Sequence, residues 1–153
     1  CHKDAMRRNL LARRAPDGTW QTTAIDWAMA GVDAVGEDPG ELLMISLAHL
    51  EAPMAQAETL YAQIFAGYLA GLEEAGWRGD PEQARLGYTI AAALAGMRQC
   101  GRDLFGINAG MPREGVEKLF GHKLETVLDQ HAGVFHFAAE LGHHALAMVG
   151  ARN

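Results

Sequence analysis

Apolar positions recur at helical spacing over most of this chain, which predicts a mainly α-helical fold. From residue 37 to residue 150, apolar side chains return every three or four positions in stretches separated by glycine and proline. A long helix is expected from Pro53 to Gly76. Another begins at Asp80, a favoured capping residue, because Pro81 suits the first helical position.

The last third of the chain predicts further helices. Small residues fill the stretch 91–96, which indicates close packing against a neighbouring helix. Residues 106–112 combine glycine and proline and predict a loop. Residues 113–149 predict one or two terminal helices, with Gly121 as a possible break.

The first 26 residues follow a different pattern. Two short runs able to form β-strands, residues 9–12 and 22–25, flank the turn signal Pro16-Asp17-Gly18. The sequence therefore predicts an antiparallel hairpin. Its two strands would bring Asn9, at the start of the first, close to Asp26, at the end of the second.

Composition restricts the class of protein. The 153 residues, 49% hydrophobic and 21% charged, are ordinary for one globular domain. Residues 1–14 hold five cations against one acid, whereas the whole chain carries −6. This asymmetry disfavours nucleic acid as the main partner and would suit a cationic or neutral small molecule, although ordinary surface charge explains it as well.

The chain has two cysteines, and their spacing suits neither a metal site nor a disulfide framework, which predicts a cytoplasmic protein. It has no apolar run long enough to span a membrane, so no membrane partner is expected.

The candidate chemistry lies at the start of the chain. His2-Lys3-Asp4-Ala5-Met6-Arg7-Arg8-Asn9 has the spacing H-x-D-x-x-x-x-N, and Ala24-Ile25-Asp26-Trp27 places an acid after the hairpin. In phosphoryl transfer, the Asp of such a loop accepts a hydrogen bond from the attacking hydroxyl. Oxygen ligands such as Asn9 and Asp26 suit Mg²⁺, and His2 is expected to support the loop by packing.

These motifs, together with Gly36-Glu37-Asp38, resemble the aminoglycoside phosphotransferase family of small-molecule kinases, which also includes choline, homoserine and macrolide kinases. The resemblance is strongest over residues 1–50. It implies an enzyme that transfers the γ-phosphate of ATP, with Mg²⁺, to a hydroxyl of a small molecule such as an aminoglycoside antibiotic or another metabolite. It implies that Asp4 is the catalytic base, that Asn9 and Asp26 bind the metal and nucleotide, and that Asp38 braces the loop.

The implied fold is mainly α: the carboxy-terminal lobe of a protein-kinase-like fold with a small β hairpin beside the catalytic loop. Residues 1–27 would hold the loop and metal-binding hairpin, and residues 37–150 a helical substrate-side subdomain. The amino-terminal, ATP-covering lobe is expected to be absent, so this chain alone would turn over little. Lys3 stands where the family usually has glycine.

In that family the acceptor lies against the helices of this lobe, which makes Glu114, Glu117 and Asp129 candidates to meet a cationic substrate. Among five late histidines, only His136 is followed four residues later by an acid, Glu140, so a zinc site is not expected.

Two alternatives stay open at this point. A non-catalytic, kinase-like module that binds a ligand or partner would keep the fold without turnover. A purely helical interaction domain agrees with the Ala and Gly content but leaves the motif unexplained.

Overall fold

The computed structural model describes residues 1–151; the last two residues of the predicted lobe, 152–153, lie outside the described residues. These described residues form one hairpin followed by five helices. The strands are β1 (Leu10–Arg14) and β2 (Trp20–Ala24), and the helices are α1 (Glu37–Ala48), α2 (Ala57–Glu74), α3 (Pro81–Asn108), α4 (Arg113–Phe120) and α5 (Leu124–Gly150). Short 3₁₀ turns occupy Arg7–Asn9, Trp27–Met29 and Met54–Gln56.

The predicted hairpin is confirmed. β1 and β2 pair antiparallel, with Leu10 opposite Ala24 at one end and Arg14 opposite Trp20 at the other. The turn closes with Gly18 at φ 86°, a left-handed conformation that glycine adopts without a steric penalty. Almost every strand side chain is exposed, including Trp20 at 71%. The hairpin is therefore stabilised by the hydrogen bonds between its strands and by contacts at its ends, because it has no hydrophobic core of its own.

The helix boundaries agree largely with the sequence signals. The carboxylate of Asp80 accepts a hydrogen bond from the Glu82 N–H at 2.9 Å and caps α3, with Pro81 in its first turn. Gly121, at φ 71°, ends α4, so the terminal segment is two helices.

Two predicted boundaries are wrong. Residues 106–112 were expected to be a loop, but α3 continues to Asn108 and only residues 109–112 connect it to α4. Gly106 is helical, because a single glycine costs a helix only about 1 kcal/mol and the neighbouring turns outweigh it. The chain instead turns at Gly110, whose φ is 101°. Likewise, α2 starts at Ala57, after a 3₁₀ turn, rather than at Pro53.

Helices α1, α3 and α5 enclose the core. Fully buried side chains from the three helices include Leu43, Leu47, Tyr88 and Val134. The small-residue stretch of α3 lies against both neighbours, as predicted: a Cβ on Gly96 would lie 2.3 Å from Met44 Cε and 2.9 Å from Ala138 Cβ. The core therefore depends on backbones that approach closely.

The mainly helical composition and the small two-stranded sheet agree with the predicted fold class. The assignment to a carboxy-terminal kinase-like lobe stays a prediction. No helix within residues 1–151 is both long enough and apolar enough to cross a membrane.

Candidate active site

The loop before the hairpin is fixed by an acid from the helical body. The backbone N–H groups of His2 and Lys3 donate to the two carboxylate oxygens of Asp38, each at 2.8 Å. Asp38 lies in the first turn of α1, where the helix dipole favours a negative charge. One carboxylate therefore fixes the direction in which the chain enters the loop.

Asp4 and Asn9 lie together on this loop. The side-chain NH₂ of buried Asn9 donates to Asp4 Oδ2 at 2.8 Å and to the Asp4 carbonyl at 2.9 Å. The 3₁₀ turn that ends at Asn9 closes the five-residue spacing between them. Because Asn9 donates with its nitrogen, its amide oxygen Oδ1 is left as an acceptor.

The hairpin returns the chain to the same place. The Asn9 carbonyl accepts from the Ile25 N–H at 2.9 Å, so Asp26 follows directly on the residue paired with Asn9. Asp26 adopts a left-handed conformation, φ 62° and ψ 61°, and is exposed. Within the described chain no donor reaches its carboxylate. The strand register thus brings Asn9 and Asp26 to one end of the hairpin, as the sequence indicated.

His2 is buried beneath this arrangement, 4% exposed. Its Nε2 lies 2.7 Å from the Ile25 carbonyl, and its ring lies 4.7 Å from the ring of Trp27. Since a carbonyl only accepts, Nε2 carries the proton, and Nδ1 is buried without a hydrogen-bond partner within the described chain. His2 is thus placed to join the loop to the end of β2.

Lys3 takes an unusual conformation for a non-glycine residue, with φ 64°. Its ammonium group lies 2.8 Å from Asp33 Oδ2, and this hydrogen bond and charge raise the pKa of Lys3 and lower that of Asp33. The positive φ gives a physical reason why glycine suits this position.

A cavity of about 770 Å³ adjoins the loop. Met6 and Arg8, which lie between Asp4 and Asn9 in the sequence, form one wall. His49 and Glu51, which follow the end of α1, form another wall, and the carboxy-terminal part of α3 closes it. The cavity therefore adjoins the residues between Asp4 and Asn9, while Asp4 and Asn9 themselves are not among the residues that line it.

Sequence reasoning missed the polar cluster at this cavity. Asp103 Oδ2 accepts from Gln99 Nε2 at 2.9 Å and lies 3.0 Å from Nε2 of His131, whose side chain is 1% exposed. Gln99 also contacts His49 Nε2 at 3.1 Å. Two signals could have revealed it: Gln99 and Asp103 lie one helical turn apart, and His131 interrupts an apolar stripe of α5.

The acids proposed for a cationic substrate lie elsewhere. Glu114, Glu117 and Asp129 do not line the cavity. Glu117 pairs with Arg113 at 3.0 Å and accepts from the Leu124 N–H at 3.1 Å, a contact that joins α4 to α5. Glu114 and Asp129 are exposed on their helices.

The donor set suits Mg²⁺ better than zinc. Among residues 1–151, no three His, Cys, Asp or Glu side chains are grouped to hold a metal ion, and His136 meets only Glu140, at 3.3 Å on an exposed face. Mg²⁺ needs fewer protein ligands, commonly one or two carboxylates completed by phosphate and water. The Asp26 carboxylate and the Asn9 amide oxygen fit that requirement.

A comparison with known protein families gives a match that includes this region. The phosphotransferase enzyme family matches residues 1–79, just over half of the chain, and this range contains the loop, the hairpin, Asp26 and Asp38. The chain belongs to this family, and membership implies phosphotransferase activity in general. No curated protein and no solved structure gives a significant match.

Proposed function

We propose that the protein transfers the γ-phosphate of ATP to a hydroxyl group of a small molecule, with Asp4 as the catalytic base. The observation that supports this most directly is the Asn9–Asp4 contact of 2.8 Å. It holds a carboxylate on a loop that Asp38 fixes from behind. Phosphoryl transfer requires chiefly alignment of the acceptor and stabilisation of charge, and a held carboxylate supplies the first.

Each residue has a distinct part in this proposal. Asp4 accepts a hydrogen bond from the acceptor hydroxyl and takes its proton as the new O–P bond forms. The Asn9 amide oxygen and the Asp26 carboxylate would hold Mg²⁺ and, through it, the nucleotide. When bound, the metal supplies positive charge to the phosphoryl oxygens. His2 and Asp38 position the loop and do not react.

The same proposal divides the chain into two functional parts. Residues 1–27 hold the groups that face the transferred phosphate, and residues 37–150 form the helical side against which the acceptor binds. The cavity beside Met6 and Arg8 supports this division, because it lies between the loop and the helices.

The decisive experiment replaces Asp4 with Asn in the protein encoded by the complete reading frame. We expect kcat to fall about 10²–10⁴-fold, the usual contribution of a positioned base, with the thermal unfolding midpoint little changed. The matched control is Glu58→Gln, which removes an exposed acid in the first turn of α2 and should leave kcat intact.

Turnover of Asp4→Asn within threefold of the parent would refute the assignment of Asp4. Coupled detection of ADP, with and without magnesium and with each candidate alcohol, measures both variants under the same conditions.

A further inference from the structure

The cavity beside the loop has an apolar rim that the fold itself does not use. Phe105 is 74% exposed, Leu119 66% and Met111 42%, and all three line the cavity from α3, α4 and the connection between them. Single exposed apolar residues are common, but a group of large ones around a concave surface marks a binding site. Such a rim suits a ligand with an apolar body.

The acid at the cavity wall is already neutralised. His131 Nδ1 lies 2.8 Å from the Val127 carbonyl and Nε2 lies 3.0 Å from Asp103 Oδ2. Both neighbours are acceptors, so both ring nitrogens need a proton unless Asp103 itself holds one. In either case the His131–Asp103 pair carries no net charge.

The remaining charges do not make the cavity acidic. Arg8 and Arg102 contribute two positive charges to its wall and Glu51 one negative charge. His49 is held neutral: burial lowers its pKa, and its Nε2 accepts from the Gln99 NH₂ group. The wall therefore carries a small positive charge, which would oppose a cationic ligand.

We infer that this cavity is the acceptor pocket and that its ligand is a small alcohol with an apolar body and without positive charge. The inference rests on the proposed phosphotransfer function and narrows its substrate class. The apolar rim binds the body of the alcohol, and the balance of arginine over acid disfavours amines. Asp103 is a specificity residue here: Gln99 and His131 hold its Oδ2, and its Oδ1 lies 3.8 Å from Nε of Arg102.

Three probes that share a phenyl ring and a hydroxyl group test the charge preference: neutral phenylpropanediol, anionic phenyllactate and cationic phenylalaninol. Each is titrated into this chain without ATP, and binding is followed by NMR chemical shifts. We expect the neutral and anionic probes to shift signals of residues 102–111 and 119, and the cationic probe to bind at least about threefold more weakly. Tightest binding by phenylalaninol, or no shift at this cavity with any probe, would overturn the inference.

Matched variants locate the binding. Phe105→Ala should weaken the neutral probe at least about fivefold, whereas Leu146→Ala, which removes a side chain 71% exposed on α5 and outside the cavity, should not. Arg102→Gln should weaken the anionic probe about threefold and leave the neutral one unchanged, with Lys123→Gln as the control. Equal effects of Phe105→Ala and Leu146→Ala would count against the cavity.

The two proposals fail separately. If the probes bind as expected but the complete protein phosphorylates none of a wide panel of alcohols, the phosphotransfer proposal fails and the pocket remains. If the complete protein phosphorylates cationic amino alcohols in preference to their neutral analogues, the kinase function holds and the pocket inference is wrong.

Discussion

At the scale of single residues, the site combines two tasks in one side chain. Asn9 donates its NH₂ group to Asp4 while its amide oxygen is left for the proposed metal. Replacing Asn9 would therefore remove a proposed metal ligand and release the proposed base, Asp4, at the same time. Asp38 uses both of its carboxylate oxygens for a single task, because they accept from two consecutive N–H groups of the same loop.

Asp103 gives a residue-scale prediction about stability. Burial alone would raise the pKa of Asp103, but hydrogen bonds from His131 and Gln99 outweigh it and leave that pKa below the ordinary 3.8. Asp103→Asn removes the charge that faces the buried ring of His131, so we expect a loss of about 2 kcal/mol in the free energy of unfolding at neutral pH.

The sign of the pH dependence follows from the lowered pKa. Stability supplied by Asp103 is complete above 3.8 and is lost as the pH falls through its value in the folded protein. The deficit of Asp103→Asn measured by urea unfolding should therefore be smaller at about pH 3 than at about pH 7. Asp129→Asn, on an exposed position of α5, should show no deficit at either pH. A deficit of the same size at both values would exclude this account.

At the scale of elements, glycines determine how closely α1 approaches α3. A Cβ on Gly40 would lie 2.7 Å from the backbone nitrogen of Ala92 and 2.8 Å from Ala91 Cβ. Backbone atoms of a packed helix cannot move aside locally, unlike the flexible end of a methionine. The spacing between these helices therefore depends on the absence of a side chain at this position.

Gly40→Ala should consequently lower the free energy of unfolding by about 1–3 kcal/mol, although alanine is the better helix former. Gly101→Ala is the matched control, because nothing lies within 4 Å of a Cβ at that position of α3. It should stabilise the protein by about 0.5–1 kcal/mol. Chemical denaturation of both variants measures the difference, and a stabilised Gly40→Ala would contradict the packing described here.

Local signals in the sequence predicted most elements but not the cavity. The hairpin turn at Gly18, the cap at Asp80 and the break at Gly121 are properties of neighbouring residues, and all three were readable. The Asp103–His131 pair joins residues 28 positions apart on two helices, and no local pattern encodes that distance. Glu114, Glu117 and Asp129 do not line the cavity, and their assignment to the acceptor stays a prediction.

At the scale of the whole molecule, the amino-terminal segment, residues 1–36, and the helical body differ in how they are held. The three main helices share a continuous core. Most side chains of the hairpin are exposed. The segment contacts the body through a few hydrogen bonds, such as those that Asp38 accepts and the one at 3.1 Å that the Gly36 N–H donates to the Tyr68 hydroxyl. Regions with few buried contacts open at lower free energy than the core.

Asp38→Asn should therefore loosen the segment without loosening the body. Hydrogen exchange of residues 2–9 should become about tenfold faster, because the variant loses a charge-assisted acceptor, while exchange in α3 and α5 is unchanged. Asp33→Asn, which removes the charge of the partly exposed ion pair with Lys3, should accelerate it less than threefold. Equal acceleration throughout the chain would instead mean that Asp38 stabilises the fold globally.

The three tryptophans are divided between the amino-terminal segment and the helical body. Trp20 lies on the hairpin and Trp27 lies against His2, whereas Trp77 packs against the helical core. Tryptophan fluorescence can therefore report on the amino-terminal segment and on the helical body separately. Emission from Trp27 would change when the segment separates from His2, and emission from Trp77 would change only when the helices themselves come apart.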